Sequence, residues 1–305
     1  MADLLPLGNF ARDGRRFAGL VSGESVIELD AASTAELLDD WDATVMRLAA
    51  GSHGPEHELG GLQILPPVQP RQILQAGANY RKHVLEILVA QGQYSREQAA
   101  EIVDARASSG RPYLFVGLPS SLCGPYDDVV LPPEGTEHDW ELELAVVIGR
   151  RARRVSVEAA MAVVAGYTIC NDLTTRDLVF RPDVGALGAD WVGSKCAPTF
   201  LPTGPYVVPA GLVSDPNDLR MRLAVNGEVM QDESTRDMLH GVPSLIAYAS
   251  SCVQLLPGDL LLTGSPAGNG AHWGRFLKPG DVMEGEIEGI GLQRNRCVAE
   301  SDRTG

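Results

Sequence analysis

The stretch Trp140-Glu141-Leu142-Glu143-Leu144-Ala145-Val146-Val147-Ile148-Gly149 constrains the fold more than any other. A strand repeats every two residues. Leu142, Leu144, Val146 and Ile148 therefore line one face, and Glu141 and Glu143 share the other with Ala145 and Val147. Two carboxylates about 7 Å apart along one strand repel each other unless a cation or water compensates. An oxygen-rich cage suits a hard cation such as Mg²⁺, Mn²⁺ or Ca²⁺. The alternative is an exposed strand edge, and the chain carries a control for it. Glu284, Glu286 and Glu288 form a longer acidic row that reads as a solvated face. The face of Glu141 and Glu143 instead turns apolar at Ala145, which points to a pocket wall.

The remaining chain is rich in short strands and poor in helices. Phe17 to Val21 and Ser25 to Leu29 read as strands around Gly23. A helix follows near Ser33 to Leu48, with Ser33 or Thr34 as its N-cap. Gly51 to Gly61 and Pro66, Pro67 and Pro70 read as a linker. Residues 1–68 are thus expected to form a small β-rich N-terminal domain, and residues 69–305 a larger one. The larger part opens with a strand over Gln72 to Ala76, a turn at Gly77 to Tyr80 and a helix from Arg81 to Ala90, broken by Gly92. Ser95 and Gln98 form a capping box that starts a second helix, running to about Ala105. Asn226-Gly227 between two apolar runs is a two-residue hairpin signal. Pro243 to Val253 reads as a helix, and Leu260 to Thr263 and Val282 to Ile287 as strands. The order lacks β-α-β alternation, so the expected class is α+β, mostly β.

Composition excludes several functions. With 44% hydrophobic residues, the 305-residue chain can fill a substantial core. A formal net charge of −15 repels nucleic acid and anionic lipid, so neither is an expected partner. An oxo-acid substrate would need local positive charge or a metal. The five cysteines, Cys123, Cys170, Cys196, Cys252 and Cys297, are odd in number and form no C-x-x-C pair, as expected of reduced thiols in a cytoplasmic protein. Met1 to Arg16 contains no apolar signal-peptide core, and no run approaches the roughly 18 apolar residues of a membrane span.

A third carboxylate is available beside the acidic strand. Gly166 to Cys170 is strand-like and ends at Asn171-Asp172, where an acid either faces a cleft or caps a turn. The helix after Asn79 carries His83 and Glu86 at i and i+3, hence on one face. A histidine made more basic by a carboxylate is suited to general-base work; the alternative is an exposed helical pair.

Taken in order, these motifs resemble the fumarylacetoacetate hydrolase (FAH) superfamily. The resemblance rests on Asn79-Tyr80 with His83 and Glu86, the acidic strand, Asn171 to Asp177, Gly193-Ser194-Lys195, and Thr263-Gly264-Ser265-Pro266-Ala267-Gly268. It covers about residues 68 to 300. It implies an FAH-like β-roll catalytic domain, a homodimer, and one divalent cation, Mg²⁺ or Mn²⁺, bound by Glu141, Glu143 and Asp172. It places His83 and Glu86 on a lid, extended here over about residues 80–110, and puts Lys195 beside a developing enolate. Thr263 matches a position that binds the substrate carboxylate. Arg176 either does the same or pairs with Asp177.

The implied activity is hydrolysis of a carbon–carbon bond in an acylpyruvate-like 2,4-dioxo acid, of the kind met in aromatic catabolism. A lyase or isomerase on a 2-oxo acid, such as an oxaloacetate-type decarboxylase, hydratase or tautomerase, would use the same enolate. A scaffold without activity would not need the lysine, the histidine and three acids. The sequence departs from the family pattern at Phe115 to Pro119, which lacks a lysine, at Lys195 to Phe200, which lacks an aspartate, and at Asn269, where valine is common.

Overall fold

The structure is a computed structural model and describes residues 5–51, 54–90 and 92–303. Ser52 and His53 of the expected linker, and Gln91 at the start of the lid extension, lie outside the described residues. Strands β1 (Leu7–Arg12), β2 (Arg15–Ser22) and β3 (Ser25–Glu28) form an antiparallel meander. Two helices follow, α1 (Thr34–Asp39) and α2 (Trp41–Ala49), where the sequence suggested one. Asp40 leaves the helical region and accepts a hydrogen bond from Ala43 N, so it caps α2 and ends α1. The expected linker contains a short strand, β4 (Glu56–Glu58), and is followed by β5 (Gln63–Leu65).

Next come β6 (Ile73–Ala76), α3 (Arg81–Ala90) and α4 (Arg96–Ser109). The Ser95–Gln98 capping box is present. Helix α4 runs on past Ala105 to Ser109, where Gly110 N bonds to the Arg106 carbonyl and closes it. Five short strands lead to the centre of the fold: β7 (Leu114–Gly117), β8 (Leu122–Cys123), β9 (Val129–Leu131), β10 (His138–Asp139) and then β11 (Leu142–Ile148). The chain continues through β12 (Val164–Asn171), β13 (Thr174–Thr175), the short helix α5 (Trp191–Lys195) and β14 (Leu201–Pro209). The hairpin β15 (Arg220–Val225) and β16 (Glu228–Ser234) turns at Asn226-Gly227, both at positive φ. Helix α6 (Val242–Cys252), β17 (Leu260–Leu262), α7 (Gly270–Trp273), β18 (Val282–Ile287) and β19 (Gly291–Ala299) complete it.

Two sheets carry the architecture. A twelve-stranded sheet runs β4-β3-β2-β1-β14-β12-β11-β17-β6-β7, with β5 on β1 and β8 on β14, and a five-stranded sheet runs β16-β15-β18-β19-β9. This is the α+β, strand-dominated fold expected from the sequence. Strand β1 pairs with β14, so β1 to β5 share the large sheet with the rest of the chain.

Every residue of β11 is buried, because its two faces serve different cores. Leu142, Leu144, Val146 and Ile148 pack toward Met221, Leu223, Met283 and Ile287 of the small sheet. Ala145 and Val147 join a second core with Leu7, Leu37 and Trp41 from the front of the chain. In the control row Met283, Gly285 and Ile287 are buried, Glu286 and Glu288 are exposed, and Glu284 is half-buried beside Arg294. Among the described residues, no helix is long and apolar enough to cross a membrane. Leu144 is fully buried at the middle of the first core. Leu144→Ala should cost roughly 2–5 kcal/mol of stability in equilibrium urea unfolding; a loss below about 1 kcal/mol would contradict this packing.

Candidate active site

The site forms where β11 and β12 lie side by side. They pair antiparallel, with Leu142 opposite Asn171 and Glu143 opposite Cys170. Asp172 N donates to the Glu141 carbonyl at 2.9 Å, and Asn171 Oδ1 accepts from Glu141 N at 2.9 Å. The register thus delivers Glu141, Glu143 and Asp172 to one spot. Each offers one carboxylate oxygen, and these oxygens all lie within 4.8 Å of one another.

All three acids are buried. Burial, then the Asp172 and Glu141 charges, push the Glu143 carboxyl well above the usual carboxylate range. Burial also raises Asp172, against the pull of Lys195. Glu141 goes the other way: burial works to raise it, but Lys195 and Arg176 outweigh that and hold it ionised. Lys195, at the end of α5, places Nζ 2.6 Å from Glu141 Oε2 and 2.6 Å from Asp172 Oδ2. Glu143 Oε2 accepts from Gly264 N at 2.6 Å. Gly264 has φ +92°, and a Cβ there would sit 3.0 Å from the Ala76 carbonyl, so the Thr263-Gly264 step needs glycine.

Arg176 does not pair with Asp177, whose carboxylate caps the turn at Thr136. Its Nε donates to Asp139 Oδ2 at 2.7 Å and its Nη2 to Glu141 Oε1 at 2.6 Å. Asp139 was not singled out from the sequence. It is fully buried and also accepts from Gly270 N and Ala271 N, which ties α7 to the acidic strand. The only hint in the sequence was its position beside Trp140.

Thr263 is also engaged with the backbone. Its hydroxyl donates to the Leu144 carbonyl at 2.9 Å, and its neighbour Ser265 lines the cavity instead. Asn79 Nδ2 donates to the His240 and Thr263 carbonyls, so the Asn79-Tyr80 motif anchors the start of α3. Asn269 donates to the Trp140 carbonyl and to Ser265 Oγ, work that a valine could not do.

His83 lines the same cavity as Glu141, Glu143, Asp172, Arg176 and Lys195. Glu86 does not join it: among the described residues no hydrogen bond links the two side chains. Glu86 Oε1 lies 3.2 Å from His272 Nδ1 of α7, a histidine that the sequence did not mark. Burial pushes the His83 imidazole down to about 4, opposed by the Glu141 charge, so it is neutral at physiological pH.

Hard oxygen donors this close together are balanced best by a divalent cation, so the fold and the site define a metal-dependent enzyme. The donor set fits Mg²⁺ or Mn²⁺. The model of the fumarylacetoacetate (FAA) hydrolase C-terminal domain matches residues 72–298, and the chain belongs to that family. It is 37% identical over 293 residues to mitochondrial oxaloacetate tautomerase FAHD2A of Bos taurus, covering 92% of this chain and 87% of the relative. It is 45% identical over 188 residues to 2,4-didehydro-3-deoxy-L-rhamnonate hydrolase of Sphingomonas sp. (strain SKA58), covering 61% of this chain and 64% of that one. Among solved structures, maleylpyruvate hydrolase from Sphingobium sp. SYK-6, in complex with manganese(II) and pyruvate, superposes with a TM-score of 0.74 at 28% identity, covering 97% of this chain and 99% of that one.

Two outcomes follow from this geometry. Glu143→Gln should weaken Mn²⁺ binding by about tenfold or more in calorimetric titration, since one of three charged donors is lost; unchanged affinity would remove Glu143 from the ligand set. The folded pKa of His83, about 4, lies below its unperturbed 6.5. Its contribution to stability is therefore present above pH 6.5 and lost as pH falls through 4. An imidazole NMR titration should find no His83 protonation between pH 6 and 8, and a midpoint near 6.5 would contradict the desolvated setting of this half-buried ring.

Proposed function

We propose that the chain is a metal-dependent hydrolase that cleaves a carbon–carbon bond in an acylpyruvate-like 2,4-dioxo acid. The observation that carries this is one cavity of ≈440 Å³ holding the three acids, Lys195 and neutral His83 together. That volume takes more than a pyruvate unit, and the side away from the acids is apolar. Glu141, Glu143 and Asp172 would hold the cation, which would supply Lewis acidity toward a 2-oxo acid.

The chain's own residues supply the remainder. His83 Nδ1 or Nε2, neutral at physiological pH, takes a proton from water as the oxygen adds to the distal carbonyl. The bond between that carbonyl carbon and the methylene then breaks. The carbonyl becomes a carboxylic acid, and the methylene carbon keeps the electron pair as the pyruvate enolate. Lys195 and Arg176 stand beside the developing negative charge. Returning the histidine proton to carbon yields pyruvate and resets the base. Glu86 pairs with His272, so it does not assist His83 in this arrangement.

A second reading is tautomerisation of an oxaloacetate-type 2-oxo acid, favoured by the relatives that match over nine-tenths of the chain. It uses the same proton transfer at His83 and no attacking water. A homodimer in the cytoplasm completes the proposal.

His83→Ala should lower turnover of an acylpyruvate by roughly 10²–10⁴-fold while Mn²⁺ binding persists. Reaction in ¹⁸O-labelled water separates the two readings. Label in the new carboxylic acid supports hydrolysis. Keto–enol exchange of oxaloacetate without cleavage of any acylpyruvate would shift the assignment to the tautomerase.

A further inference from the structure

We propose that the cavity selects a 2-oxo acid whose far end is flat, apolar and uncharged, such as an aryl group, and disfavours a second carboxylate. The inference rests on the 2-oxo acid chemistry proposed above and adds the identity of the tail.

The wall away from the three acids is built from rings. Phe115 of β7 stacks on Trp191 of α5 with centroids 4.5 Å apart and planes 17° apart. Tyr113 lies against Phe115 at 6.3 Å, and Trp191 Nε1 donates to the Tyr113 hydroxyl at 3.0 Å. The Trp191 N–H is thereby satisfied, and the surface these rings offer is mainly aromatic face. Ile87, Val179 and Phe180 line the same space with aliphatic and aromatic carbon. Phe180 and Tyr113 are 74% and 48% exposed, a large apolar area open to solvent beside a polar floor.

Charge sharpens the choice. The only lysine or arginine side chains lining this cavity, among the described residues, are Lys195 and Arg176. Both already face carboxylates, Lys195 those of Glu141 and Asp172, and Arg176 those of Asp139 and Glu141. A dicarboxylate would set its second charge beside the rings with no cation to pair it, and would gain nothing from their apolar faces. A flat apolar tail gains contact instead. A competing anchor is Arg106 of α4. Its guanidinium reaches the carbonyl of Gly77, a cavity residue, at 3.4 Å, and it pairs with no carboxylate among the described residues.

The test is calorimetric titration of the full-length, Mn²⁺-loaded protein with phenylpyruvate, pyruvate and 2-oxoglutarate. Phenylpyruvate should bind at least about tenfold tighter than the other two. Trp191→Ala should abolish that preference and leave pyruvate affinity within about threefold. Phe115→Leu serves as a second variant should Trp191→Ala fail to fold. Equal affinity for all three overturns the tail assignment and leaves the 2-oxo acid site standing. Preference for 2-oxoglutarate that disappears in Arg106→Ala overturns it too, in favour of a distal carboxylate. Failure of every 2-oxo acid to bind overturns both the tail assignment and the function on which it rests.

Discussion

Mutual repulsion of three buried carboxylates governs this molecule. Glu141, Glu143 and Asp172 bring their oxygens within 4.8 Å of one another inside the protein, where charge is poorly screened. A group of that kind persists only if the scaffold cannot relax away from it. The scaffold here is β11, buried on both faces and hydrogen-bonded to β12 on one side and β17 on the other. Lys195 and Arg176 then bridge the acids: Glu141 accepts from both cations, and Asp172 from Lys195. Among the described residues Glu143 pairs with no cation, and it leans on the Gly264 amide. The unevenness is informative. The donor with the least local compensation gains most from a bound dication.

The ordering of charges also explains features that look unrelated. Asp139 sits one residue before Trp140, holds Arg176 from behind and fastens α7 through two amides. Helix α7 in turn brings His272 to Glu86 on α3. A continuous set of polar contacts therefore runs from the acidic strand to the helix that carries His83. Lys82 adds a second fastening, to Glu233 of β16.

Much of this was legible in the sequence, for identifiable reasons. The two-residue period of Leu142 to Ile148, the Ser95–Gln98 capping box and the Asn226-Gly227 turn are local signals. Each depends on neighbours within a few residues, and each has its counterpart in the structure. The contrast between Glu141/Glu143 and Glu284/Glu286 could be read because faces of a strand are fixed by alternation. Partnerships across long separations could not be read. Arg176 and Asp139 meet over 37 residues, and Glu86 meets His272 across nearly the whole catalytic part of the chain. No periodicity encodes those distances. The break at Asp40 was missed because its neighbours favour helix, while its own side chain serves better as a cap.

The pairing of β1 with β14 has a consequence for the front of the chain. Its described residues extend the main sheet and contribute Leu7, Leu37 and Trp41 to the core on the outer face of β11. Trimming them would bare the β14 edge and uncover Leu260 and Leu262, inviting strand-to-strand association of truncated copies.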